Sequence, residues 1–304
     1  MKNLISYSKL KPDELPEEEY LLPGNRACSG CSMSLLYRMA LKALEKDCII
    51  TVPASCLTVL HGLYHKTSVN MNVVHTTFET TASSASGIVA ALEAMGLDDK
   101  ITVVGFAGDG GTSDIGIQAL SGAAERNTNF IYACYDNEMY SNTGTQRSGQ
   151  TPYMAYTTTT PKGKIEHKKN MPMIMKAHNI PYIATTCASY PQDVYMKFKK
   201  AKMFQGTRYL HILAPCSPGW GFPTDETIEL GRLAVKSGIF PLMEIVDGKL
   251  FLNKESEKCL EPKNRLSVKE YLEKQKRFAH IDDKVFSVYQ EYVDAQWDWI
   301  HKCL

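Results

Sequence analysis

The stretch Ile101–Asn142, ITVVGFAGDGGTSDIGIQALSGAAERNTNFIYACYDNEMYSN, decides the fold. It opens with a strand apolar on both faces, Ile101–Phe106. It then passes through AGDGGTSD into a helix from about Ile115 to Arg126, and returns as a second such strand, Asn129–Tyr135. Strands apolar on both faces belong to parallel sheets covered by helices on each side. Outward from this unit the alternation repeats. Ser32–Asp47 has helical period, CIITVP (Cys48–Pro53) reads as a buried strand, and Val73 and Val74 begin another extended piece. Thr81–Met95 is a helix of small residues with Gly96 as its C′ residue. Downstream come a helix near Met171–His178, a strand at Tyr182–Thr186, a helix at Pro191–Met203 and a strand at Tyr209–Ala214. The reading is a doubly wound parallel α/β sheet.

Three regions follow. Residues 1–27 are polar, bear prolines and read as an N-terminal arm. Residues 28–222 form the α/β domain, and residues 223–304 a C-terminal extension packed on it. That extension reads as a helix at Thr224–Val235, a hairpin around Asp247-Gly248, and two terminal helices, Leu266–Phe278 and Asp282–His301. A long polar loop, about Ser141–Lys169, interrupts the domain, and loops of that length in a compact domain are functional or disordered.

The chain has 304 residues, with 34 Lys and Arg against 33 Asp and Glu, 44% apolar and 22% charged. This is globular composition, without an electrostatic case for nucleic acid or an anionic membrane. No apolar run approaches the ~18 residues of a membrane span, and the N-terminus has no apolar signal core. The expectation is a cytoplasmic location. Of the nine cysteines, Cys48, Cys134 and Cys187 sit in apolar runs and read as buried hydrophobes. Cys259 and Cys303 lie in polar surroundings and read as incidental.

Gly108-Asp109-Gly110-Gly111 lies between a buried strand and a helix. Glycines there let backbone N–H groups approach a phosphate, and the helix start favours negative charge. Asp109 suits a divalent cation bridging phosphates. The next strand ends in Asp136-Asn137-Glu138-Met139-Tyr140-Ser141-Asn142. Asn137 offers a side-chain oxygen and Met139 a backbone carbonyl, so that three hard oxygen ligands, with two diphosphate oxygens and a water, complete an octahedral Mg²⁺ site. GDG, then a helix and strand, then an Asn-bearing turn is the signature of thiamine diphosphate binding. No GxGxxG is present, which excludes the dinucleotide fold. Cys28-x-x-Cys31, Cys56 and Cys216 lie in loops beside these elements. Four such thiolates suffice for a [4Fe–4S] cluster or a structural zinc, and a lone CxxC would also fit a redox dithiol. A one-electron acceptor beside thiamine diphosphate has a clear use, which favours iron–sulfur.

On these motifs the chain resembles the β, thiamine-diphosphate-binding subunit of the pyruvate:ferredoxin oxidoreductase family, the 2-oxoacid:acceptor oxidoreductases. The resemblance rests on GNRACSGCS, VVHTTFETTASSASGI, GDGGTSDIGIQALSGAAERN, YDNEMYSNTGTQRSGQTP, TTTTPKGK, ILAPCSPGW and VKEYLEKQKRFAHI, and covers nearly the whole chain. It implies a [4Fe–4S] cluster on Cys28, Cys31, Cys56 and Cys216, and Mg²⁺ on Asp109, Asn137 and the Met139 carbonyl. It implies cofactor contacts from Cys56, Gly108, Asp109, Gly110, Gly111, Asn137, Met139, Ser141 and Asn142, with Asn142 at the reacting carbon. The activity implied is oxidative decarboxylation of a 2-oxoacid, pyruvate first, with single electrons passing to the cluster and on to ferredoxin, usually forming acyl-coenzyme A and CO₂. The same chemistry on 2-oxoisovalerate, oxalate or an aryl-glyoxylate, or a non-redox thiamine diphosphate lyase, are the alternatives. Implied partners are a pyrimidine-domain α subunit, which in the family supplies the activating Glu, a ferredoxin-like subunit, ferredoxin and coenzyme A.

Many relatives carry Gly and then an acid after the second cysteine, where this chain has Ser32 and Met33. The cofactor turns differ from those of the 2-oxoglutarate branch and point to the pyruvate or branched-chain side. His61 and His65 have the i, i+4 spacing of zinc helices but lack a third ligand. His75 and Glu79 fall near the expected cofactor face, where core packing is favoured over support of the cofactor, and Thr157–Thr160 is expected on a loop surface, which the resemblance places near a partner subunit.

Overall fold

A computed structural model describes residues 14–63 and 65–304. Six parallel strands, β1 (Cys48–Pro53), β2 (Asn72–Thr76), β3 (Thr102–Gly108), β4 (Ile131–Asp136), β5 (Tyr182–Cys187) and β6 (Arg208–Leu213), form one sheet with the antiparallel pair β7 (Met243–Val246) and β8 (Lys249–Leu252). The order across the sheet is β2-β1-β3-β4-β6-β5-β7-β8. From β1 the chain steps outward to β2, then crosses back to β3 on the other side. The carboxyl ends of β1 and β3 therefore flank the switch point, where doubly wound sheets open a ligand crevice.

Every residue of β4, β5 and β6 is buried, which explains their unbroken apolar runs. Edge strand β2 is mostly exposed, and its Val73 and Val74 were all that announced it. On one face lie α1 (Ser32–Leu44) and α6 (Pro191–Ala201), packed on each other over a core that includes Leu36, Leu44, Ile50, Phe106 and Phe198. Helix α2 (Cys56–His61) leaves the end of β1. The opposite face carries α3 (Thr81–Met95), α4 (Ile117–Glu125) and α5 (Met171–Lys176), over Val89, Leu120, Phe130 and Tyr209. Small residues let α3 sit close to the sheet: a methyl on Gly105 of β3 would stand 3.0 Å from Thr81 Cγ2. Gly96 ends α3 in the left-handed region, and Leu97 N–H closes on Leu92 O at 2.9 Å.

The C-terminal segment has its own core. Short α7 (Ser217–Trp220) leads to α8 (Thr227–Lys236), the hairpin, α9 (Lys254–Glu257), α10 (Val268–Glu273) and α11 (Asp283–Cys303). Asp247 and Gly248 both have positive φ, the conformation of a tight two-residue hairpin turn. Val285, Tyr289, Val293, Trp297 and Ile300 of α11 bury one stripe against Trp220, Leu230, Leu242 and Tyr271. Cys259, expected in polar surroundings, is buried in this core, and Cys303 packs at its rim. The helix expected at Leu266–Phe278 stops at Glu273. Gln275 is extended, and the Lys276 N–H instead donates to Gly221 O at 3.2 Å, which turns Arg277 inward. Tertiary contacts here override a continuous helical pattern.

Of the expected arm, residues 1–13 lie outside the described residues. Beyond them, Leu21 forms a bridge with Val69, and Lys42 Nζ donates to Glu18 O at 2.8 Å. Among the described residues no helix is long and apolar enough to cross a membrane.

Candidate functional site

At the switch point a cavity of about 320 Å³ is lined by the ends of β1, β3 and β4 and the segments that follow them. All nine residues expected to touch the cofactor line it: Cys56, Gly108, Asp109, Gly110, Gly111, Asn137, Met139, Ser141 and Asn142. Beyond β3 the chain makes a π-helical turn, Gly110–Asp114, before α4 starts. Such turns are rare and recur at functional sites. Side chains have no room there, since a methyl on Gly110 would lie 2.3 Å from the Tyr140 ring.

Asp109 is 1% exposed, and Ser148 Oγ donates to its Oδ2 at 2.5 Å. Burial, reinforced by nearby Asp136, pushes its carboxyl well above the usual carboxylate range. One terminal atom of the Asn137 amide lies 2.7 Å from the Met139 carbonyl oxygen and 3.1 Å from Asp109 Oδ1. An NH₂ there would satisfy both acceptors. With the amide oxygen there, carboxylate, amide and carbonyl oxygens converge with no donor among them, a set that calls for a cation. The donor set therefore fits Mg²⁺. Gly219 completes the packing, because a methyl on it would strike Met139 Sδ at 2.2 Å.

Of the four expected cluster cysteines, Cys56 lines this cavity and Cys216 stands beside its Ser141, while Cys28 and Cys31 are electrostatic neighbours of both. Cys28 is exposed, while Cys31, Cys56 and Cys216 are half-buried. Burial raises all three of the latter, and the charges of neighbouring cysteines add to this for Cys56, which reaches about 12. Cys216 feels Cys31 and Cys28 in the same way. Cys56 Sγ donates to Asn142 Oδ1 at 3.0 Å, and Cys216 Sγ lies 3.9 Å from Ser141 Oγ. Local bonds tie the two loops together. Ser32 Oγ donates to Pro215 O at 2.9 Å, and Thr227 Oγ1 to Gly30 O at 2.7 Å. Gly30 has φ +67°, and a methyl there would lie 2.1 Å from Thr224 O. Among the described residues no three His, Cys, Asp or Glu side chains already close around one metal point. The thiols are neighbours and, as thiols, must lose protons before ligating.

Residues 54–212 match the family model "Thiamine pyrophosphate enzyme, C-terminal TPP binding domain". The chain is 47% identical over 294 residues to the pyruvate synthase subunit PorB of Methanocaldococcus jannaschii, covering 93% of this chain and 97% of that one. It is 46% identical over 297 residues to the ketoisovalerate oxidoreductase subunit VorB of Pyrococcus abyssi, covering 95% and 94%. The chain belongs to the thiamine-diphosphate-binding β subunits of the 2-oxoacid:ferredoxin oxidoreductases. The fold also matches the solved 2-oxoglutarate:ferredoxin oxidoreductase from Magnetococcus marinus, with TM-score 0.59, 23% identity and 71% of each chain covered.

In this β subunit several residues of the site escaped the sequence reading. Asp114 accepts from Tyr140 OH at 2.8 Å, from Gly149 N–H at 2.9 Å and from Lys169 Nζ at 2.8 Å, anchoring the long loop to the cofactor turn. Within the loop, Lys164 is 1% exposed, and its Nζ donates to the carbonyls of Thr151, Glu166 and His167 at 2.8–3.1 Å. Below the site Asp136 accepts from His211 Nε2 at 3.0 Å and from Lys168 Nζ at 2.9 Å. Burial alone would raise Asp136, but the Lys168 ammonium and the hydrogen bond from His211 outweigh it and hold the carboxyl at about 2.

Of the remaining side chains read from the sequence, one pair departs from expectation. His61 stacks on Tyr37 with ring centres 5.3 Å apart, and burial lowers its pKa to about 4, so it is a neutral core histidine. His75 and Glu79 do not pack in the core; both are exposed on and beyond edge strand β2. Met33 is buried in the α1 core and offers no polar contact from this position.

Proposed function

We propose that this β subunit carries the catalytic cofactor of a complex that oxidatively decarboxylates a 2-oxoacid, pyruvate or 2-oxoisovalerate, and passes two electrons singly to ferredoxin. A 2-oxoacid anion, coenzyme A and two oxidised ferredoxins give acyl-coenzyme A, CO₂, two reduced ferredoxins and one proton. The observation that carries this reading is the meeting, in one cavity, of the three-oxygen set of Asp109, Asn137 and Met139 with a cysteine hydrogen-bonded to Asn142.

Asp109, Asn137 and the Met139 carbonyl would hold Mg²⁺ against the diphosphate, with Gly108, Gly110 and Gly111 giving the phosphates room to approach backbone. Thiamine diphosphate, when bound, supplies the carbon nucleophile and the electron sink for decarboxylation. Cys28, Cys31, Cys56 and Cys216 would hold a [4Fe–4S] cluster that accepts electrons one at a time. A thiolate at Cys56 accepts only, and the Asn142 amide NH₂ then makes the contact that the Cys56 thiol now donates. The activating carboxylate for the aminopyrimidine comes from a pyrimidine-domain partner subunit. A ferredoxin-like subunit relays electrons outward. The rival is a thiamine diphosphate lyase without redox chemistry, which needs no thiol set.

Iron and sulfide content of the anaerobically purified complex separates the two. A panel of 2-oxoacids, with and without coenzyme A and read by ferredoxin reduction, names the substrate. A complex that holds no iron, or that fails to reduce ferredoxin with every 2-oxoacid of the panel, refutes the proposal. Asn142→Ala is expected to keep thiamine diphosphate bound while lowering kcat roughly 10²–10³-fold, as losses of a donor at developing charge do. Unchanged kcat with every 2-oxoacid removes Asn142 from the reacting centre.

A further inference from the structure

Glu138 stands between two of the proposed metal ligands with φ +66°. A side chain bearing a Cβ takes that left-handed conformation only when its surroundings enforce it. The Glu138 N–H donates to Asp136 Oδ1 at 2.9 Å, and Thr151 Oγ1 donates to the Glu138 carbonyl at 2.7 Å. The carboxylate receives Lys168 Nζ at 2.7 Å and the Arg277 guanidinium. Arg277 is 2% exposed and comes from the far C-terminal segment. Its guanidinium also lies 3.9 Å from the centre of the Trp220 ring, whose Nε1 donates to the Asn137 carbonyl at 2.7 Å. One cation thus grips residue 138 through its carboxylate and residue 137 through an indole.

We infer that Arg277 is a positioning residue of the metal turn. It keeps Glu138 left-handed and Trp220 seated, so that the Asn137 side chain and the Met139 carbonyl face Asp109. The inference rests on the reading of this turn as the Mg²⁺–diphosphate site. Arg277 does not line the cavity itself. The competing account makes it a charge partner for buried Glu138 and nothing more. The two accounts part on backbone conformation, because glycine adopts positive φ without enforcement.

The test uses the intact complex, stripped of thiamine diphosphate and divalent cation, then titrated with thiamine diphosphate and Mn²⁺. Binding is read by calorimetry and by the Mn²⁺ paramagnetic resonance signal, without turnover. Arg277→Met is expected to weaken binding roughly 10–100-fold, the loss that removing outer partners of metal ligands brings. Two double variants decide, since neither leaves an uncompensated carboxylate should the single variant fail to assemble. Arg277→Met/Glu138→Gly is expected to recover most of the affinity, and Arg277→Met/Glu138→Gln to stay weak. Equal affinities in the two doubles, or wild-type affinity in Arg277→Met, overturn the inference. Asp109→Ala is titrated alongside: if it binds as wild type, the metal reading itself falls.

Discussion

Asp109→Ala is expected to yield a complex that retains its iron and visible spectrum but no thiamine diphosphate after desalting. Asp109 supplies the only carboxylate among the three converging oxygens, and it is fully enclosed with Ser148 on its second oxygen. Burial and nearby Asp136 both disfavour its charge, and a divalent cation would offset that cost. Mg²⁺ demands nearly complete octahedral oxygen coordination and tolerates a missing ligand poorly. The alanine also leaves the Asn137 and Met139 oxygens facing each other without a counter-charge. The loss should exceed the roughly 10–100-fold that outer-partner changes cost. Thiamine diphosphate retained at wild-type stoichiometry would place the metal elsewhere.

Cys216→Ser tests the other half of the site. Cys216 is the most distant in sequence of the four cysteines, and its setting is stiff. Pro215 and Pro218 flank it, Ser32 ties the Pro215 carbonyl to the start of α1, and Gly219 packs on its sulfur. A hydroxyl is a far poorer ligand for cluster iron than a thiolate, and the rigid loop holds position 216 where it stands. The expected product is a damaged or three-iron cluster, with ferredoxin reduction lost. CO₂ release from the first equivalent of 2-oxoacid should persist, because that step needs no cluster. Full iron content with normal ferredoxin reduction would remove Cys216 from the ligand set.

What could be read in advance follows the range of the forces involved. The buried strands, α3 with its Gly96 stop and the Asp247-Gly248 hairpin write themselves in local apolar pattern and turn chemistry. The GDG and DNEMYSN turns were legible because ligands at strand ends need special residues at fixed places. Glu138, Lys168 and Arg277 were not, since their pairing spans 30 and 139 residues and polar partners leave no periodic trace. Cys259 misled for the same reason. Its chain neighbours are polar, yet packing from α8 and α11 encloses it. The helix break after Glu273 has no Gly or Pro to announce it; it coincides with the Lys276–Gly221 bond and the inward turn of Arg277.

The Lys164 ammonium, holding three carbonyls of the 141–169 loop, bears on how the protein survives in the cell. A protease must draw its substrate out as an extended strand, and exposed loop tips normally yield one by fraying. Here fraying at this point would strand a buried cation and release carbonyls fixed by it, while Asp114 pins the neighbouring turn to the cofactor site. Opening this loop therefore draws on the stability of the domain beneath it. In turnover terms the segment ages with the core, although by shape it is a loop.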